Sequence, residues 1–268
     1  MLTKISMHTI CSFFIIICLS LLQTGCGSTP EESESQLTAK AQIEKLGGLV
    51  SGTDSVSVNL MGNPNVKDDD LKVLAGIDHL AYLNVRDTDI GDAGMAHLAN
   101  IKTLETIDVS NSLVTDAGLK HLSGLSISSF HAGPKKHSDD TRKQIGDAGV
   151  AELCKIKTLR VLSLQRTNIT SKGAASLELL PKLGRLNLAL TKIDDEAIPA
   201  ISTLTALTSL DLSFTEITDE GVIHLETLTN LNHLLILETA VSNEMKAELS
   251  QRLPGAVITL NNEDQATQ

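Results

Sequence analysis

Apolar residues recur along this chain with a period of about 24 residues. The residue that opens each pair of alternating apolar positions aligns at Val58, Leu83, Ile107, Phe130, Leu162, Leu186, Leu210 and Leu234. The intervals between them are 25, 24, 23, 32, 24, 24 and 24 residues. A nearly constant period of this length is typical of a solenoid, in which each unit buries its apolar face against its neighbours.

Within each unit, the order of apolar and polar positions predicts the local structure. The alternation at 210–212 predicts a short strand with both leucines facing inward. Pairs such as Thr218-Asp219 predict helix starts, and the spacing of Leu119, Leu122 and Leu125 predicts the apolar stripe of a short helix. A hydroxyl residue stands five residues after most of the aligned positions, and we expect it to bond backbone groups of the turn; these residues are Thr88, Ser112, Thr167, Thr191, Thr215 and Thr239.

Stacking such units predicts an arc. Parallel strands pack about 4.8 Å apart whereas helices need about 10 Å, so the strands must line the inner side. Atypical segments at both ends predict caps that shield the core from water. The predicted organisation is an N-terminal cap over 36–55 with a helix at 36–46, about eight units over 56–260, and a disordered tail over 261–268.

The repeated form L-x-L-x-x-T-x-I-T-D-x-G-L-x-x-L, with 210–225 as its clearest copy, resembles the leucine-rich-repeat family. Within that family it is similar to the ribonuclease-inhibitor-like repeats common in bacterial exported proteins. The resemblance implies an α/β solenoid: a curved right-handed β-α superhelix with a parallel sheet on the concave side and short helices on the convex side. It also implies a binding scaffold, without indicating which partner is bound.

The N-terminus predicts export. Lys4 precedes an apolar run over 10–22, whose helical length of about 20 Å is short of a hydrocarbon core of about 30 Å. This pattern predicts a signal peptide over 1–25. The segment ending at Cys26 resembles the lipobox of bacterial lipoproteins, although Gln23 stands where that family usually has Leu. The resemblance implies an acylated Cys26 and a tether over 26–35; ordinary cleavage and an uncleaved anchor are the alternatives.

The residue after Cys26 bears on which membrane would hold the protein. Gly27 follows Cys26 where retention in the inner membrane would favour Asp. By resemblance, the predicted location is therefore a lipoprotein anchored at the outer membrane or facing the periplasm.

Composition narrows the function further. The formal net charge is −11, which opposes binding to nucleic acids and to anionic lipid surfaces. Aromatic residues make up 2% of the chain, too few for platforms that stack bases or sugars. No glycine-rich phosphate loop, zinc-ligand spacing, nucleophile elbow or pair of catalytic carboxylates occurs in the sequence. We therefore expect no enzymatic activity, no cofactor or metal, no small-molecule substrate and no nucleic acid.

The interval of 32 residues places eight extra residues within 133–144, at the rim of the predicted arc. They include the basic side chains Lys135 and Lys136 and the neighbouring His137. The segment is either a loop that contacts a partner or a tolerated surface insertion. His131, His137, Asp139 and Asp140 lack a metal-ligand spacing, so a metal site is not predicted.

Extending the strand register predicts which side chains face out of the concave surface. This face would run from mixed charge through a basic middle to an apolar end that could anchor a partner. Alternatively, these residues are simply solvated and the last apolar ones are covered by the cap. The candidates are Arg86, Asp87, Glu105, Asp108, Arg160, Arg166, Arg185, Leu190, Asp211, Phe214, Leu235 and Leu237.

Three functions fit these observations. The first is a scaffold that binds a protein partner through the concave sheet, the 133–144 insertion or both. The second is a structural spacer of the cell envelope that has no specific ligand. The third is an inhibitor or substrate-recognition module, which an export signal fits poorly.

Overall fold

A computed structural model describes residues 34–133 and 145–260. The predicted signal peptide, Cys26, most of the tether, the insertion residues 134–144 and the tail 261–268 lie outside these ranges. Lys135, Lys136 and His137 are therefore not described.

In the described residues, ten strands form one sheet in sequence order. Strand β1 pairs with β2 in antiparallel fashion, and every later neighbour is parallel. The strands are β1 (Leu49–Ser51), β2 (Val56–Asn59), β3 (Leu80–Asn84), β4 (Thr106–Asp108), β5 (Ser129–His131), β6 (Val161–Ser163), β7 (Arg185–Asn187), β8 (Ser209–Asp211), β9 (His233–Leu235) and β10 (Val257–Thr259). The eight predicted strands are β2 to β9, and the two caps contribute β1 and β10.

Short helices follow most strands. They are α1 (Glu34–Lys45), α2 (Asp92–Leu98), α3 (Asp116–Leu119), α4 (Asp147–Leu153), α5 (Ser171–Ala174), α6 (Ile198–Ile201), α7 (Asp219–Val222) and α8 (Asn243–Arg252). The predicted cap helix at 36–46 is α1. None of the described helices is long and apolar enough to cross a membrane.

Several helical segments are tightened into 3-10 turns. Asp68–Gly76 is entirely 3-10, and 3-10 turns continue α3, α5 and α7. A segment of one or two turns gains few i→i+4 bonds, which explains the preference for the tighter form. Before α6, the turn Asp195–Ala197 is 3-10 and the α-helix begins only at Ile198, next to Pro199. This agrees with the delay expected where proline removes a backbone donor.

One continuous apolar core runs through the whole stack. The eight aligned positions supply its inner layer, and each is at most 1% exposed. The predicted threonine bonds are confirmed: Thr88, Thr167, Thr191, Thr215 and Thr239 each donate to the carbonyl three residues earlier, at 2.5–2.8 Å. Thr115, Thr170 and Thr218 cap α3, α5 and α7 as predicted.

A row of helix-start carboxylates ties each unit to the next. Asp195 accepts the backbone N–H of Thr218 at 2.9 Å and its hydroxyl at 2.6 Å, and Asp92, Asp147 and Asp219 bond the next helix cap in the same way. A glycine in the following helix leaves room for Asp92, Asp147 and Asp195, whereas α8, which follows Asp219, contains no glycine. A Cβ on Gly221 would lie 2.1 Å from Asp195 Oδ1, and one on Gly173 would lie 2.4 Å from Asp147 Oδ1.

The extra residues at 133–144 leave the stacking intact. Strands β5 and β6 pair in register, with Phe130 opposite Leu162. Asp116 still accepts the backbone N–H of Gly146 at 2.8 Å, on the far side of the insertion.

Candidate partner-binding surface

The exposed face of the sheet is narrower than the sequence predicted. Strands β4 to β9 have three residues each, of which the middle one is buried and the outer two are at least partly exposed. Because side chains alternate along a strand, those outer residues form the open face. Most of these residues are polar, and Val161 and Leu235 are the apolar ones among them. The full set is Thr106, Asp108, Ser129, His131, Val161, Ser163, Arg185, Asn187, Ser209, Asp211, His233 and Leu235.

Only some of the predicted concave residues lie on these strands. Asp108, Arg185, Asp211 and Leu235 do. Glu105 and Arg160 immediately precede β4 and β6. The predicted placement on the strands is wrong for the residues that lie in the turns after them, and their role in binding stays a prediction: Arg86, Asp87, Arg166, Leu190, Phe214 and Leu237. The strands end sooner than the alternation suggested, and the chain then bends.

A ladder of Asn and Asp side chains stabilises that bend in several units, although β6 and β9, which end at Ser163 and Leu235, bend without one. Asn84, Asp108, Asn187 and Asp211 each end a strand and accept the backbone N–H two residues later, at 2.9–3.0 Å. Such side chains stabilise turns by replacing a backbone acceptor. Asp108 and Asp211 therefore have a structural role in the turn. Sequence reasoning missed this ladder, although an Asn or Asp directly after the first aligned residue of most units signals it.

Beyond the bend lies a row of residues with left-handed backbone, which we call the rim row: Asp87, Asn111, Arg166, Leu190, Phe214 and Glu238. Each is the third residue after its strand, and their φ angles lie between 51° and 61°. The N–H groups of Arg166, Leu190 and Phe214 donate to carbonyls of the next unit at 2.7–2.8 Å. These bonds hold the backbone of the three residues against the next unit.

Leu190 and Phe214 are unusual members of the row. Asp and Asn tolerate a left-handed backbone, whereas a bulky side chain there is strained by about 1 kcal/mol or more. Leu190 is 44% exposed and Phe214 is 47% exposed, so both present apolar surface to water in spite of that strain. Leu237, partly buried, precedes Glu238 and adjoins Phe214 through the bond from the Phe214 N–H to the Leu237 carbonyl.

The charges around this apolar pair are arranged with opposite signs at its two ends. Arg166 precedes the pair along the rim row and Glu238 follows it; both are exposed and neither forms an ion pair within 34–133 and 145–260. Exposed Arg160 and Arg185 likewise have no carboxylate partner in those ranges. Arg86 differs, because it pairs with Asp87 at 3.3 Å.

Other reactive groups have structural surroundings. Cys154 is fully buried, and burial raises the pKa of its thiol to about 11, which disfavours the nucleophilic thiolate at neutral pH. On β5, Ser129 Oγ and His131 Nε2 lie 2.9 Å apart. Asp108, opposite His131 in the register, uses Oδ1 for the N–H of Ser110. Among the described side chains, no group of three or more His, Cys, Asp or Glu is placed to hold a metal ion.

Comparisons with known proteins agree with this architecture. A family model described as Leucine Rich repeat matches 78–99, 155–177 and 203–225. The chain is similar to the crystal structure of an internalin (inlF) from Listeria monocytogenes, with 21% identity and a TM-score of 0.57, covering 76% of this chain and 60% of that chain. It is also similar to internalin C2 (inlC2) of that organism, with 19% identity and a TM-score of 0.62, covering 85% and 92%. No curated protein matches the sequence.

The matched stretches correspond to repeating units of the structure. They contain β3 with α2, β6 with α5, and β8 with α7. At identities near one fifth, the two internalins establish the fold alone. The chain therefore carries leucine-rich repeats and is an α/β leucine-rich-repeat solenoid.

Proposed function

We propose that this protein is a non-enzymatic scaffold that binds a protein partner through the rim row and the adjoining sheet face. Leucine-rich-repeat proteins are generally protein-interaction scaffolds. The observation that carries the proposal is the exposed pair Leu190 and Phe214, held in a backbone conformation that disfavours both. Strain of this kind persists where function rewards it.

Rigidity supports the same proposal. The rim row is bonded to the next unit through its backbone, so little conformational freedom remains to be lost on binding. Exposed aromatic and aliphatic side chains in a fixed position are the usual anchors of protein interfaces. The 133–144 insertion, which follows β5 in the sequence, is proposed as a second contact.

Export and anchoring belong to the proposal as well. The 1–25 segment and the lipobox-like sequence before Cys26 support an acylated protein of the bacterial envelope. A partner would then be met at a membrane surface. A spacer without a specific ligand is the alternative, and it gives no reason for strained apolar side chains in the rim row.

Site-specific photocrosslinking in the producing cells tests the proposal. A photoreactive residue in place of Leu190 should give a discrete protein adduct, because the partner would cover this position. The same probe in place of Leu179, which is 49% exposed in the helical layer, is the matched control. The adduct at 190 should be lost when Phe214→Asn is added. Equal adducts at both positions, or none at 190, would favour the spacer.

A further inference from the structure

The spacing of residues along the rim row favours one backbone conformation of a bound segment over another. Beyond the turn, isolated parallel bridges join Thr170 to Lys192, Asp194 to Glu216 and Thr218 to Ala240. The sheet spacing of about 4.8 Å therefore persists past the row. Measured from Arg166, the next three members lie about 4.8, 9.6 and 14.4 Å along it.

A helix laid along the row matches these intervals. Residues i, i+3, i+7 and i+10 share one face of a helix, and at 1.5 Å per residue they lie at about 0, 4.5, 10.5 and 15 Å. An extended segment presents one face every second residue, at about 6.6, 13 and 20 Å. Its fourth side chain would miss the fourth member of the row by about 5 Å, whereas that of a helix would miss by less than 1 Å.

The chemistry of the row specifies the residues of that helix. Exposed Arg166 would pair with a carboxylate of the helix, and Glu238 would pair with a cation. Leu190 and Phe214 would pack against large apolar side chains. Within the described chain, neither Arg166 nor Glu238 has an ion-pair partner to displace.

We propose that the row from Arg166 to Glu238 binds an amphipathic α-helix of a protein partner. That helix carries an acidic residue at i, large apolar residues at i+3 and i+7, and a basic residue at i+10. The inference rests on the proposed function and adds the conformation and the sequence pattern of the bound segment.

Synthetic peptides and the purified chain test this pattern by fluorescence anisotropy. The first peptide, in an Ala/Gln background that favours helix, carries Glu, Leu, Leu and Lys at i, i+3, i+7 and i+10. The second replaces its Glu by Lys. The third has the composition of the first but places the four residues at i, i+2, i+4 and i+6.

The wild-type chain should prefer the first peptide to the second by about fivefold. Arg166→Glu should reverse that preference, because both ends of the row are then acidic. Phe214→Asn should weaken both peptides at least tenfold, since it removes the apolar anchor. Leu113→Asn changes an exposed leucine outside the row and should alter neither. Thermal melting of each variant verifies that it is folded.

Three results would overturn the inference: no saturable binding of any peptide, equal binding of the third peptide, or a preference that Arg166→Glu leaves unchanged. If crosslinking at 190 still yields a Phe214-dependent adduct, the helix pattern alone fails and the scaffold function stands. If no adduct forms, the proposed function fails as well.

Discussion

The rim row contains single residues whose side chains do not suit its backbone conformation. The backbone there is left-handed in every unit in which it is described, and Asp87 and Asn111 suit it. Leu190 and Phe214 do not suit it and yet stand in adjacent units, exposed to water. This combination supports the proposed contact of Leu190 and Phe214 with a partner.

Phe214→Asn should abolish partner binding with little net change in stability. Asn relieves a left-handed strain of about 1 kcal/mol, but it also gives up the buried half of the phenylalanine, which opposes that gain. We therefore expect the free energy of unfolding to change by no more than about 1 kcal/mol, and the melting temperature by no more than about 2–4 °C. Calorimetry measures the change, with Leu113→Asn, outside the left-handed row, as the control. A larger fall in melting temperature for Phe214→Asn would show that the side chain serves mainly the fold.

At the scale of elements, the bonds between helix starts explain the Thr-Asp-x-Gly motif. The threonine caps its helix, the aspartate bonds the cap of the next unit, and the glycine makes room for the aspartate of the previous unit. At one place in the chain, both the aspartate and the glycine that would face it are replaced. Ser171 replaces the aspartate, and Ala197 replaces the glycine that would face it. The shorter side chain and the extra methyl group occur together, which fits the close approach of Asp195 to Gly221; the C-terminal cap helix α8, which has no glycine, lies outside this rule.

Gly221→Ala should accordingly destabilise the protein, by about 2 kcal/mol or more, because the new methyl group collides with the carboxylate of Asp195. Urea unfolding measures the loss. Gly124→Ala is the control, since its nearest contact would be 3.6 Å away, at Lys102 Nζ.

The double variant Asp195→Ser/Gly221→Ala reproduces the natural pair at Ser171 and Ala197. It should recover at least half of the stability lost in Gly221→Ala, although the bonds from Asp195 to Thr218 disappear. A double variant no more stable than the single one would show that the carboxylate does not cause the conflict.

The whole molecule is held together by repetition of these local links. Strand bonds, rim bonds and carboxylate bonds each join one unit to the next, around a core that continues from end to end. Of the cysteines, the described residues contain Cys154, which is buried and unpaired, so stability there comes from packing and hydrogen bonds. The proposed binding surface is accordingly spread over several units, and its proposed place at a membrane rests on Cys26.

Cys26→Ala should abolish incorporation of labelled fatty acid and release the protein from membranes. Each buried CH₂ of an acyl chain contributes about 0.8 kcal/mol to membrane binding, and this variant lacks the thiol at position 26 to which the chain would be attached. Labelling and fractionation of the producing cells measure both effects. Cys18→Ala, within the predicted signal peptide, should change neither. Membrane retention of Cys26→Ala would instead support an uncleaved anchor.

Much of the fold could be predicted from the spacing of a few residue types. The buried positions from Val58 to Leu234 indicated the strands, and the threonines in the turns indicated their bonds. The candidate surface was harder to predict, because alternation was extended past Asp108 and Asp211, where their side chains already bend the chain. The backbone at Leu190 and Phe214 is set by bonds to neighbouring units, which the pattern within one unit does not contain.

The register of β5 and β6 across the 133–144 insertion has a practical consequence. Phe130 and Leu162 face each other although their separation along the chain is 32 residues instead of 24. The units on either side are aligned by the pairing of their strands, and the length of the connecting segment does not set that alignment. A reporter or a foreign epitope should therefore be able to replace the native segment at this junction without changing the register of β5 and β6.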